Sequence, residues 1–209
     1  MTSRHKVFIS YYHKDDQKYK DELIRKKYYD VSKMKFENIF EDCSVSDGDI
    51  DDANTTSESI RRKIRDEFIK EATVLILLCG KNTKYRKHID WEIHAAMYDS
   101  LNNPQMGIIV INLPEINQYL RVSDESEKQL VSPNSIWKRI STREDIISAY
   151  PYLPNRIIDN LVKGVPITVV NWDIISKDPQ ILMKLIDNAY NRRKNIKYDH
   201  STLLRKNNS

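Results

Sequence analysis

Apolar positions in this chain gather into short runs divided by charged stretches, and the spacing within each run predicts an element. Lys6-Val7-Phe8-Ile9-Ser10 is a compact apolar run with polar borders, which predicts a buried strand. From about Asp15 to Tyr28, Leu23 and Ile24 lie near Tyr19 and Tyr28 at helical spacing among charged residues, which predicts a helix. Asn38-Ile39-Phe40 predicts a second, shorter strand, and the acidic, turn-rich stretch from Glu41 to Ser57 predicts a loop. Thr56 or Ser57 can cap a following helix in which Ile60, Ile64 and Phe68 repeat every four residues. Val74-Leu75-Ile76-Leu77-Leu78-Cys79 is apolar on both faces, as a central strand covered by helices on both sides must be. A polar loop, Lys81 to Lys87, leads to a helix from about Ile89 to Leu101, ended by Asn103-Pro104. Met106 to Leu113 predicts a fourth strand, and Val165 to Val170 a fifth with Pro166 near its beginning. Asp178-Pro179 opens a last helix whose inner face carries Ile181, Leu182, Leu185, Ile186 and Ala189.

This alternation predicts an α/β fold: a doubly wound, mostly parallel five-stranded sheet with helices on both faces. An insert over residues 113–165 precedes the last strand, with helical pieces around Ile146 and from Arg156 to Val162. One domain over 1–209 suits the length. Ligands of such sheets bind outside the carboxyl ends of the strands. The candidate positions are therefore Ser10–His13, Glu41–Cys43, Lys81–Arg86 and Asn112.

Charge changes this picture little. The net charge is +4, and the excess sits late in the chain, at Arg192, Arg193, Lys194, Lys197, Arg205 and Lys206. Residues 196–209 read as a basic tail, solvated and frayed, and no nucleic-acid partner is expected. Cys43 and Cys79 form neither a CxxC pair nor a disulfide framework, which suits a reducing cytoplasm. Met1 to Lys6 lacks the apolar stretch of a signal peptide, and the longest apolar run, Val74 to Cys79, is far too short to span a bilayer, so no membrane association is expected. No GxGxxG, P-loop, GxSxG or HExxH occurs, and His5, His13, His88, His94 and His200 are scattered, so no metal site is expected. The acids from Asp47 to Asp52 read as a solvated loop, a self-association or lid element.

Three segments carry a family likeness. They are Val7-Phe8-Ile9-Ser10-Tyr11, Val74 to Leu78, and Gly80 to Ile93, in which Trp91-Glu92-Ile93 places an aromatic directly before an acid and an apolar residue after it. With Asn112 and Val170-Asn171-Trp172-Asp173, they make the chain resemble the TIR and TIR-like superfamily, and within it the Thoeris anti-phage defence (ThsB-type) branch. His88 departs from the pattern, standing where that family usually has Trp. The resemblance implies a TIR/flavodoxin-like fold and an NAD nucleosidase or ADP-ribosyl cyclase type of enzyme. NAD is then the substrate, no separate cofactor is needed, and Glu92 is the catalytic carboxylate. Phe8, Ser10, Tyr11, Tyr12, His13, Trp91 and Asn112 are the candidate substrate-binding residues. The product, a cyclic or conjugated ADP-ribose, would act as a messenger to a downstream effector protein.

The chemistry suits a single acid. Nicotinamide leaves NAD as a neutral molecule from a cationic pyridinium, so no strong general acid is required; the demand is to steady a ribose oxocarbenium ion and hold its hydroxyls. Two other readings stay open. One is a non-catalytic TIR-like adaptor that self-associates, and the other a flavodoxin-like module that binds a nucleotide without consuming it. An acid near a helix start is also commonly only a dipole partner. Phe8 and Trp91, judged singly, are core residues, and Asn112 could be a turn residue before Pro114.

Overall fold

A computed structural model describes residues 4–44, 69–100, 104–133, 137, 140 and 142–208. The chain opens with β1 (Lys6–Ser10), α1 (His13–Ile24), β2 (Lys27–Asp30), β3 (Lys35–Asn38) and β4 (Glu41–Asp42). Next come β5 (Val74–Cys79), a 3-10 turn (Thr83–Tyr85), α2 (Lys87–Met97) and β6 (Gly107–Asn112). The insert holds α3 (Glu125–Val131), α4 (Arg143–Ala149) and α5 (Asn155–Val162). β7 (Thr168–Asn171), α6 (Trp172–Lys177) and α7 (Pro179–Arg192) follow.

Among the described residues, five strands form one sheet in the order β4-β1-β5-β6-β7. Every pairing is parallel: Val7 to Ser10 against Val74 to Leu77, Val74 to Cys79 against Gly107 to Asn112, and Ile109 to Asn112 against Thr168 to Asn171. From β1 the chain goes to one side to place β4 and to the other to place β5. The crevice at the carboxyl ends of β1 and β5 is thus the topological switch point, where this architecture binds ligands.

Strand alternation divides the core into two layers. Phe8, Leu75, Leu77, Cys79, Ile108 and Val110 meet α2 and α5, with Trp91, Ile93, Ile157 and Leu161 among the contacts. Val7, Ile9, Val74, Ile76, Leu78, Ile109 and Ile111 meet α1, α6 and α7, through Leu23, Ile175, Leu182, Leu185 and Ile186. All of β5 is buried, as its two-faced apolar run requires. Each aliphatic side chain so buried contributes roughly 1.5–3 kcal/mol. Gly107 lets α7 approach closely, since a Cβ there would lie 2.3 Å from the Ala189 carbonyl oxygen.

Several boundaries differ from expectation. The first helix ends at Ile24, and Tyr28 lies instead in an antiparallel hairpin of β2 with β3. Its Tyr-Tyr pair prefers the pleated surface to a helix. Asn38-Ile39-Phe40 is not the second sheet strand: Asn38 closes β3, Ile39 and Phe40 are buried after it, and the sheet strand is the next pair, Glu41–Asp42. The predicted loop therefore starts two residues too early, while its remainder from residue 45 and the helix around Ile60 to Phe68 lie outside the described residues. The third predicted helix begins at Lys87, two residues before Ile89, and ends at Met97. The last strand is shorter, with Val165 to Ile167 leading into it. Within the insert, Arg121 makes an antiparallel bridge to Val169, which shields the β7 edge. Among the described residues no helix is long and apolar enough to cross a membrane.

The basic tail is not frayed. Tyr198 donates its hydroxyl to the Met106 carbonyl at 2.7 Å, Leu204 packs against the core, and the backbone from Asp199 to Arg205 is hydrogen-bonded to α2 and α5. Polar partners hold it where composition alone predicts a loose end.

Candidate active site

Ser10 is the last residue of β1, and Glu92 sits on α2. Because α2 begins at Lys87, Glu92 lies in its second turn, not the first as the predicted start implied; Asp90 takes the first-turn place. The Ser10 hydroxyl donates to Glu92 Oε2 at 2.6 Å, and both residues are buried, at 1% and 6% exposure. Burial disfavours the charged carboxylate and pushes Glu92 up to about 7; the Ser10 hydroxyl, which favours the charged form, acts the other way. A helix that starts only a turn earlier adds its positive end nearby.

Strand alternation decides which predicted site residues join this pair. Phe8 and Ser10 share a face of β1, and Phe8 and Trp91 belong to the same apolar layer, against which Tyr12 packs. Phe8 is 1% exposed and Trp91 2%, so both are core residues beneath the site. Trp91 donates its indole N–H to the Arg205 carbonyl at 2.9 Å and meets His88 edge-on. His88, where the family usually has Trp, thus still packs an aromatic ring there. Tyr12 is half-buried, and the Arg86 guanidinium lies over its ring at 4.0 Å, a cation–π contact. Arg86 Nε is buried without an acceptor among the described residues.

Tyr11 goes elsewhere. Its side chain enters the opposite layer, stacks on His13 at 4.2 Å and bonds Gln17. Asn112 ends β6, two strands from β1, and is not a loose turn residue. Its amide N–H donates to Asn171 at 2.9 Å and its carbonyl accepts from Gln118 at 2.5 Å.

The sequence reading named Lys81–Arg86 as a ligand-facing loop and so included Arg86, but it missed Gln118, Asp16 and Glu115. A second group of acids lies beyond Cys79. A Cβ on Gly80 would stand 2.8 Å from Glu115 Oε1 and 2.9 Å from Asp16 Oδ1, so only glycine leaves room for both carboxylates. Burial first, then the charges of Glu115 and Asp15, push Asp16 up to about 7. A shallow cavity of about 270 Å³ beside them is also lined by Lys81 and Asn82. Asn82 spends its amide on Asp15 at 2.7 Å. Among the described residues no group of three His, Cys, Asp or Glu side chains is arranged to hold a metal ion.

Compared with known families, residues 8–118 match the model of "Thoeris protein ThsB, TIR-like domain". That segment runs from β1 through β6 to Gln118, includes Ser10, Glu92 and Asn112, and covers more than half of the chain. It stops before most of the insert and before β7. No curated protein and no solved structure matches.

Proposed function

The chain belongs to the Thoeris TIR-like family of anti-phage defence, and we propose that it cleaves the N-glycosidic bond of NAD with Glu92 as the catalytic carboxylate. One observation carries this reading: Glu92 is buried at the switch point of the sheet and, among the described residues, has a single hydroxyl for a partner, at 2.6 Å. A carboxylate kept from water with so little compensation is held at a cost, and such groups concentrate at functional sites.

In the proposed reaction the bond between the ribose anomeric carbon and the pyridinium nitrogen breaks. Its electron pair goes to the nitrogen, so nicotinamide leaves neutral and the sugar becomes an oxocarbenium ion. Glu92 accepts hydrogen bonds from the ribose hydroxyls and opposes the growing positive charge in a site of low dielectric. Ser10 holds the acid's orientation. The half-buried ring of Tyr12 offers a stacking face, and Arg86, with its unspent Nε, suits a phosphate oxygen of the substrate. Capture by water gives ADP-ribose and a proton. Capture by a nucleophile of the same molecule gives a cyclic product and a proton, and a site that excludes water favours this route. The product would serve as a messenger to a separate effector.

Incubating the protein with NAD and following nicotinamide by chromatography tests the reading directly. Release that disappears in Glu92→Gln is the expected result. If the isolated protein is silent, the same variant in a phage-challenge assay decides: protection that survives Glu92→Gln overturns the catalytic reading and leaves the adaptor and the non-consuming nucleotide-binding module.

A further inference from the structure

The helix that carries Glu92 is short of its own restraints. Arg86 at its N-cap makes no side-chain capping bond, and the first turn's only acid is Asp90. Yet every residue from Ile89 to Met97 is buried, Asp90, Glu92 and His94 included. What covers the helix on the side away from the sheet is a segment with little regular structure, Asp199 to Asn208.

The contacts are specific and mostly polar. Asn208 Oδ1 accepts from the Lys87 backbone N–H at 2.8 Å, supplying from a distance the cap that α2 lacks. The Arg205 N–H donates to Asp90 Oδ2 at 2.9 Å, while the Arg205 carbonyl accepts from Trp91 at 2.9 Å. Behind them stands Arg156 on α5, fully buried. Its guanidinium grips both oxygens of Asp90, at 2.9 and 3.1 Å, and donates to the carbonyls of Thr202 at 3.0 Å and Leu203 at 3.3 Å. One planar fork thus ties α5, α2 and the segment together, a geometry a point charge cannot reproduce. Asn160 holds the other end, bonding the Asp199 carbonyl at 3.2 Å and its N–H at 2.8 Å. The Leu203 side chain is 88% exposed, and Leu204 alone among the segment's side chains packs against the core cluster, so the segment's path follows mainly from its polar contacts.

Asp90 and Trp91 are the two residues immediately before Glu92, and fixing them fixes the rotation and axial position of the acid. We propose that residues 199–208 form a positioning strap for Glu92, with Arg156 as the residue that couples strap to helix. This role rests on the reading of Glu92 as the catalytic acid. Strap and Arg156 both lie outside the segment matched to the family, 8–118.

The test uses the full chain and two readouts, steady-state nicotinamide release from NAD and the titration of the Glu92 side-chain carboxyl by carbon NMR. Arg156→Lys keeps the charge and removes the fork. Because displacements of about 1 Å at a reacting group cost up to about a hundredfold, kcat is expected to fall about tenfold to a hundredfold with KM for NAD unchanged. The Glu92 midpoint, about 7 in the parent, should fall towards 4.5 as the displaced acid meets water. A folded variant with parental kcat and midpoint overturns the proposal and makes the strap a scaffold alone. If the parent itself releases no nicotinamide, the phage-challenge assay of Glu92→Gln judges the catalytic reading, and the midpoint judges the strap separately: a shift in Arg156→Lys upholds the coupling and no shift overturns it. Should Arg156→Lys not fold, Asn208→Ala at an exposed position takes its place, with the same two readouts and restoration by Asn208→Asp expected. Parental values in Asn208→Ala overturn the proposal.

Discussion

The two sides of α2 bury two carboxylates to the same extent and treat them in opposite ways. Asp90 and Glu92 are each 6% exposed. Asp90, on the strap side, receives both arms of Arg156 and a backbone N–H. Glu92, on the sheet side, receives one hydroxyl among the described residues. Equal burial with unequal partners separates a structural acid from one under tension. A buried charge that is fully paired contributes order, whereas one with a single neutral partner favours its protonated form and is ready to bind something that completes it. Burial alone therefore does not distinguish the two, but the count of donors does.

The sharpest way to break this comparison is to neutralise the sheet-side acid. Glu92→Gln is expected to lower nicotinamide release from NAD by on the order of a thousandfold, measured by chromatography. The same variant should be more stable. Glu92 keeps its proton in the folded chain to about pH 7 but loses it near 4.5 when unfolded, so stability falls as pH rises across that window. At pH 8 the glutamine variant escapes a cost of about 3 kcal/mol at most, seen as a melting temperature several degrees higher, a gain that vanishes at pH 4. A melting temperature that falls at pH 8 would contradict the claim that this acid is under tension.

Next in size is the strap-side acid. Asp90→Ala leaves Arg156 buried and unpaired, which costs about 3–5 kcal/mol. Chemical denaturation should report that loss, and replacing Arg156 as well with Met should recover much of it. Destabilisation that the double variant fails to relieve would mean that the pair is not what holds the helix to α5.

A third effect is the pH profile. With Glu92 needed as carboxylate, kcat/KM for NAD should rise with pH, about tenfold per unit below the midpoint near 7, and level off above it. The smallest expected effect sharpens the assignment of that midpoint. Ser10→Ala removes the one donor among the described residues that favours the charged acid, so the rise should move to higher pH with the plateau little changed. A downward move would rule out Ser10 as that donor.

Much of this arrangement was legible in the sequence. β1, β5 and β6 announce themselves as unbroken apolar runs, because a parallel strand covered on both faces tolerates little else. The rule that ligands gather at carboxyl ends of strands led to Ser10, and the aromatic-acid-isoleucine pattern to Glu92. Period-two alternation, applied strictly, would also have parted Tyr11 from Ser10, since neighbours on a strand face opposite layers. The hairpin of β2 and β3 was hidden by a helical spacing that ran on through Tyr28. Nothing local points to Arg156 or to the strap. Their bonds join residues 39 to 121 positions apart, mostly through carbonyls and single N–H groups, which leave no periodic trace in composition. A run of lysines and arginines reads as a solvated tail unless the carbonyls between them have somewhere to go.

The strap also has a consequence for the order in which the protein is made. Arg205 follows its partner Asp90 by 115 positions, and Asn208 follows Lys87 by 121. A ribosome that has delivered every strand of the sheet has still not delivered the groups that fasten this helix. Between those two moments the acid rides on an unpinned helix, and under the proposed roles of Glu92 and the strap, cleavage of NAD waits until residues 199–208 have been added.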